Sequence, residues 1–228
     1  MMRLTEEKGD SVPPEDSDMN FKKEEMRLYA VTDRRWNGSN SMMEQLEKAL
    51  RGGVTLVQLR EKDLSYDEFL EEAIEAVKLC HAYGVKLLIN DNVDIAIKSG
   101  ADGVHVGQSD MPAADVRRLA GEDFIIGTSA RTVEAALEAQ RQGADYLGVG
   151  ACFGTSTKDD ARAIDLQVLR DITEAVDIPV VGIGGITEEN IPKLKGSGIS
   201  GVALVSAIFA AEDIESRCRD LLKLISAL

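Results

Sequence analysis

From Arg27 onward the spacing of apolar residues changes at regular intervals along the chain. Runs of four or five aliphatic residues, rich in Val, Ile and Leu, give way to longer stretches in which apolar residues return every three or four positions. The short runs predict strands over residues 28–32, 55–59, 86–90, 103–106, 124–127, 146–149, 180–183 and 202–205. The longer stretches predict helices over residues 41–51, 65–83, 92–99, 112–119, 132–142, 165–175, 188–195 and 213–226. In the second of these, Phe69, Ala73, Ala76, Val77 and Cys80 make one apolar stripe, and Ser65 opens a capping box with Glu68. Pro112 and Pro192 stand near helix starts, whereas Gly52, Gly84, Gly100, Gly143 and Gly196 follow helix ends.

Strand-then-helix units repeated in this way point to a parallel sheet with helical crossovers, closed as a single (β/α)8 TIM barrel over residues 27–228. An open doubly wound sheet is the alternative. The barrel is favoured because Gly100 to Asp102 and Gly143 to Asp145 both read GAD, and Gly198 to Ser200 reads GIS, so successive strands are entered alike. Residues 1–26 depart from the pattern. They hold eight acidic and four basic residues with little apolar periodicity, the composition of a mobile acidic extension, within which a short helix over residues 20–25 is allowed.

Composition narrows the function. At 228 residues and 44% hydrophobic content the chain is long enough to bury a full core. A net charge of -14 argues against nucleic acid or an anionic membrane as partner, since both are polyanions. Cys80, Cys152 and Cys218 are odd in number and far apart, and only two histidines accompany them, which suits neither a disulfide framework nor a thiolate zinc site. With no apolar run of membrane-spanning length and no signal-peptide core, a soluble protein of a reducing cytoplasm is expected.

In a barrel of this kind, functional groups gather where strands end and loops begin. The second strand runs into Gln58-Leu59-Arg60-Glu61-Lys62, where alternation places Gln58, Arg60 and Lys62 on one side. The other exits carry Asn90-Asp91, Gln108 to Asp110, Thr128-Ser129, Thr155 to Lys158, Gly184-Gly185 and Val205-Ser206. Gly184-Gly185 and Val205-Ser206 are suited to offer amides and a hydroxyl to a phosphate, although such glycines also serve tight turns. Asp91 and Asp110 are suited to one Mg2+ ion, although an Asn-Asp pair also caps helices. Arg60, Lys62 and Lys158 add positive charge to an acidic protein and, with Mg2+, suit a diphosphate. One monophosphate pocket beside one metal-assisted diphosphate pocket points to the joining of two substrates with departure of pyrophosphate. His81 falls on a helix. His105, inside a strand, reads as a hydrogen-bonded barrel residue in preference to a general base.

These stretches carry a resemblance. QLREK at Gln58 to Lys62, IND at Ile89 to Asp91, HVGQSDM at His105 to Met111, GTS at Gly127 to Ser129, TSTK at Thr155 to Lys158, GIGGI at Gly182 to Ile186 and VSAIF at Val205 to Phe209 resemble, in order, the motifs of the thiamine phosphate synthase family. The resemblance implies a Mg2+-dependent transferase joining hydroxymethylpyrimidine diphosphate to a thiazole phosphate by a dissociative substitution. It implies that Gln58, Arg60, Lys62, Asn90, Ser129 and Lys158 contact the pyrimidine diphosphate, with Arg60, Lys62, Ser129 and Lys158 as catalytic side chains. Asp91 and Asp110 would bind Mg2+, and Thr155, Ser156, Thr157, Gly185, Val205 and Ser206 the thiazole phosphate. A homodimer is left open. Where the family reads GPIFPTPTK, this chain has Gly150-Ala151-Cys152-Phe153-Gly154-Thr155-Ser156-Thr157-Lys158, which implies a looser loop. The related thiazole tautomerases, which often carry a histidine shortly after the fifth-strand serine, are an alternative, as is a noncatalytic phosphate-ligand sensor. Arg131 at that place favours the synthase.

Overall fold

A computed structural model describes residues 22–38, 40–154 and 163–228. Its eight strands are β1 (Leu28–Val31), β2 (Leu56–Leu59), β3 (Lys86–Asn90), β4 (Gly103–Val106), β5 (Ile125–Ala130), β6 (Tyr146–Gly150), β7 (Val180–Ile183) and β8 (Gly201–Leu204). They pair in parallel in sequence order and close as a barrel through β1 and β8. The crossover helices are α1 (Met42–Arg51), α2 (Tyr66–Ala82), α3 (Val93–Ser99), α4 (Ala113–Ala120), α5 (Val133–Arg141) and α6 (Leu166–Ala175); a single turn α7 (Ser206–Phe209) and α8 (Ile214–Ile225) follow β8.

The strands are apolar on both sides because both sides are covered, as parallel sheets require. Leu28, Val57, Leu87, Val104, Ile126, Leu147, Val180 and Val202 face outward and join the helices in the larger core. Their neighbours Tyr29, Leu56, Leu88, Ile125, Tyr146, Val181 and Ala203 fill the barrel interior. Helix starts follow the local chemistry. Ser41 and Ser65 form capping boxes with Glu44 and Glu68, and Thr132, Asp165 and Asp213 accept a main-chain N–H in the first turn of α5, α6 and α8.

The seventh crossover, from β7 to β8, differs from expectation. A helix over residues 188–195 is replaced by a 3-10 turn, Ile191–Leu194. Asn190 competes with the helix: its Oδ1 accepts from Thr187 N at 2.8 Å and its Nδ2 donates to the Gly185 carbonyl at 2.8 Å. Pro192 then withholds an N–H from any longer ladder. The end of the acidic extension is also part of the barrel. Lys23–Met26 form a 3-10 turn beneath the strand starts, with Met26 fully buried among the interior residues and Glu25 paired to Lys86 at 3.1 Å. The remainder of that extension, residues 1–21, lies outside the described residues.

Candidate active site

A cavity of about 690 Å³ opens at the carboxyl ends of the strands. Gln58, Arg60, Lys62, Asn90, Asp91, Asp110, Ser129, Gly185, Val205 and Ser206, all singled out from the sequence, line it together. Thr155, Ser156, Thr157 and Lys158, also singled out, lie outside the described residues.

The β2 exit is built in alternation. Gln58 is buried and its Nε2 donates to Tyr29 Oη at 2.6 Å inside the barrel. Arg60 is anchored by its main chain, whose N–H donates to Thr32 Oγ1 at 2.9 Å, and its guanidinium lies 3.6 Å from Asp33. Glu61 points the opposite way. Its carboxylate is 2% exposed and takes a hydrogen bond from Arg34 Nε at 3.1 Å, while Arg34 also bridges to Glu72. Glu61 is therefore a supporting charge, which fastens the loop after β1 to the β2 exit.

At the β3 exit Asp91 occupies left-handed backbone, φ 63°, a conformation that aspartate tolerates better than most residues. The bend is held by its N–H, which donates to the His105 carbonyl at 2.9 Å. Burial acts to raise the pKa of Asp91, but Lys62, with Asp110 and Asn90, holds the carboxyl below its ordinary value on balance. Asp110 Oδ2 accepts the Gly107 N–H at 2.7 Å. These two carboxylates, from neighbouring strand exits, are hard oxygen donors of the kind that would hold Mg2+. Among the described residues there is no cluster of three or more metal-ligating side chains.

On the opposite side of the mouth, Gly184 and Gly185 have φ of 89° and 66°, and a side chain at either position would collide with the backbone of the β6 loop. A turn built on paired glycines leaves main-chain groups uncovered by side chains, an arrangement suited to an anion. Val205 leads into α7, whose first residue is Ser206.

The cavity also takes in Gln108, collected among the strand exits without a role, and three residues that were not among the expected site residues: His105, Arg131 and Thr187. Arg131 lies just past β5, so the rule of strand exits reaches it; its neighbours in sequence drew attention to it only as the residue that replaces a histidine. His105 fulfils its expected hydrogen-bonded role, with Nδ1 2.8 Å from Tyr146 Oη and Nε2 3.0 Å from Ser129 Oγ. The nearest cysteine, Cys152, is buried, donates to the Val149 carbonyl and has its thiol pushed up to about 11 by burial, which keeps it from acting as a thiolate.

A closed parallel barrel whose paired glycines and cationic side chains meet in one cavity at the strand exits belongs to the class of barrel enzymes that handle phosphorylated small molecules. A family model described as thiamine monophosphate synthase matches residues 28–208, and the chain belongs to that family. A thiamine-phosphate synthase of Ruminiclostridium cellulolyticum is 53% identical over 86% of this chain and 94% of its own. Another, of Clostridium acetobutylicum, is 49% identical over 87% of this chain and 94% of its own. Among solved structures, a thiamine phosphate pyrophosphorylase from Pyrococcus furiosus superposes with a TM-score of 0.83 at 38% identity, covering 90% of this chain and 98% of that one.

Proposed function

We propose that this chain is a thiamine phosphate synthase, a transferase that joins a hydroxymethylpyrimidine diphosphate to a thiazole phosphate and releases pyrophosphate. The observation that carries the reading is the meeting, in one cavity, of Arg60 and Lys62 at the β2 exit with the paired glycines of the β7 exit. That arrangement supports a reading in which two anionic groups of different size bind at opposite sides of the mouth.

Gln58 and Asn90 orient the pyrimidine, while Arg60 and Lys62 neutralise the diphosphate as its bridging oxygen gains charge. Lys158 acts with them, and Ser129 donates a hydrogen bond to the same substrate. Gly185, Val205 and Ser206 hold the thiazole phosphate, joined by Thr155, Ser156 and Thr157. Asp91 and Asp110 hold Mg2+, which supplies further charge neutralisation to the departing diphosphate. The bond from the exocyclic carbon to oxygen breaks first, the electron pair leaving with pyrophosphate; the thiazole nitrogen then gives its lone pair to that carbon. The protein orients the two rings and excludes water, which would otherwise trap the cation.

Incubating the purified protein with both substrates and Mg2+ tests the reading, with thiamine phosphate and pyrophosphate expected in equal amounts. No product above a no-enzyme control, with both substrates shown to bind, would overturn it in favour of a sensor. Isomerisation of a thiazole carboxylate phosphate in place of coupling would establish the tautomerase alternative.

A further inference from the structure

Beneath the cavity the barrel interior is polar where packing alone calls for aliphatic side chains. Tyr29 and Tyr146 are both buried, with ring centroids 6.1 Å apart at an interplanar angle of 68°, and their hydroxyl oxygens are 2.8 Å apart. Gln58 reaches Tyr29 from one end, and His105 joins Tyr146 to Ser129 at the other. Five strands thus contribute to one line of contacts between 2.6 and 3.0 Å. The backbone makes room for it. A side chain at Gly127 would collide with the Tyr146 ring, and one at Gly148 would lie 2.9 Å from His105 Cε1. Burial raises both phenols above their ordinary pKa, so each keeps its proton to donate.

We propose that this line is a directional hydrogen-bond relay whose function is to fix the Ser129 hydroxyl as a donor into the cavity. The direction follows from counting protons. The Gln58 amide nitrogen only donates, so Tyr29 Oη accepts from it and gives its own proton to Tyr146 Oη. Tyr146 in turn donates to His105 Nδ1, which leaves the neutral imidazole protonated at Nε2 and donating to Ser129 Oγ. With its oxygen occupied as an acceptor, Ser129 directs its own O–H toward the substrate's anionic oxygen. Tyr29, Tyr146 and His105 are positioning residues that act through Ser129. This role rests on Ser129 meeting substrate as proposed above.

Nitrogen-15 spectra of histidine-labelled, substrate-free protein read the relay directly, and the His81→Gln variant assigns the two rings. The expected result is His105 with a pyridine-like Nδ1 and a pyrrole-like Nε2, a preference lost in Tyr146→Phe and reversed in Gln58→Glu, whose carboxylate accepts where the amide donated. A wild-type His105 protonated at Nδ1 would overturn the relay even if the protein is an active synthase. In the coupling assay, Tyr146→Phe should lower kcat roughly tenfold with KM within about twofold, a change of about 1.4 kcal/mol in the barrier. The same substitution in a Ser129→Ala background should have no further effect. Equal losses in both backgrounds would show that Tyr146 serves structure alone; the nitrogen-15 readout, unlike this assay, stands apart from whether the protein makes thiamine phosphate at all.

Discussion

Lys62 Nζ lies 2.6 Å from Asp91 Oδ2, so the cation assigned to the diphosphate and the carboxylate assigned to Mg2+ neutralise each other in the substrate-free site. For both to serve, the pair must part, with Lys62 turning to the diphosphate as the metal takes Asp91. Lys62→Ala should therefore act in two opposite ways. Turnover falls about a hundredfold, or about 3 kcal/mol in the barrier. Binding of Mg2+ to the free protein, followed by calorimetry, tightens about two- to fivefold, in keeping with the modest worth of a half-exposed pair. Unchanged turnover would remove Lys62 from the reaction.

Asp91→Asn keeps the shape and the left-handed bend but removes the charge. The Mg2+ concentration that gives half-maximal activity should rise at least tenfold, while the melting temperature without metal stays close to that of the wild type. An unaltered Mg2+ titration would refute the ligand role.

Met26 lies under the strands, fully buried beside Tyr29 and Leu56. Met26→Ala should cost about 2–5 kcal/mol of stability, the usual range for emptying a buried methionine site. Truncation after residue 21 removes none of the described contacts, whereas truncation after residue 26 also removes the pairing of Glu25 with Lys86. Thermal melts of the two truncated chains should differ accordingly, with only the longer truncation lowering the midpoint.

Asp33 opens the turn after β1, accepting from Arg35 N at 3.1 Å and from the Arg35 guanidinium at 2.7 Å. Burial acts to raise its pKa, but Arg35, with Arg60, holds the carboxyl below its ordinary value on balance. A depressed carboxyl favours the folded state above its unfolded value and loses that contribution as pH falls through the folded one. Asp33→Asn keeps the cap but should cost about 1 kcal/mol at pH 7, in line with charge-assisted bonds from Arg35 becoming neutral ones. The gap between variant and wild type in denaturant melts should shrink below about pH 4, near the ordinary carboxyl value.

The strands were readable because each is a short apolar run with a turn on either side; β3, β4 and β7 begin and end where the pattern predicts. Gln58, Asp91 and Ser206 were readable because a barrel places its strand exits at one mouth. What was missed depends on contacts between distant strands or on very short elements. Tyr29 and Tyr146 meet across 117 positions, a contact that exists only once the sheet has closed. The single turn of α7 is too short to show a helical period, and the side-chain bonds of Asn190 override a periodicity that was present in residues 188–195. Glu61 was readable as off the reacting side, but its partner Arg34 comes from a turn, Arg34–Trp36, that has no apolar signature.

The packed interior, from Tyr29 and Tyr146 down to Met26, floors the cavity, which lies at the strand exits. Two reactants must enter and two products must leave through the same rim. Under the proposed reaction, pyrophosphate lingering at the β2 side obstructs the next pyrimidine diphosphate, and thiamine phosphate lingering at the β7 side obstructs both newcomers. The order of traffic through that rim is then as much a property of the packed floor as of the residues that meet the substrates.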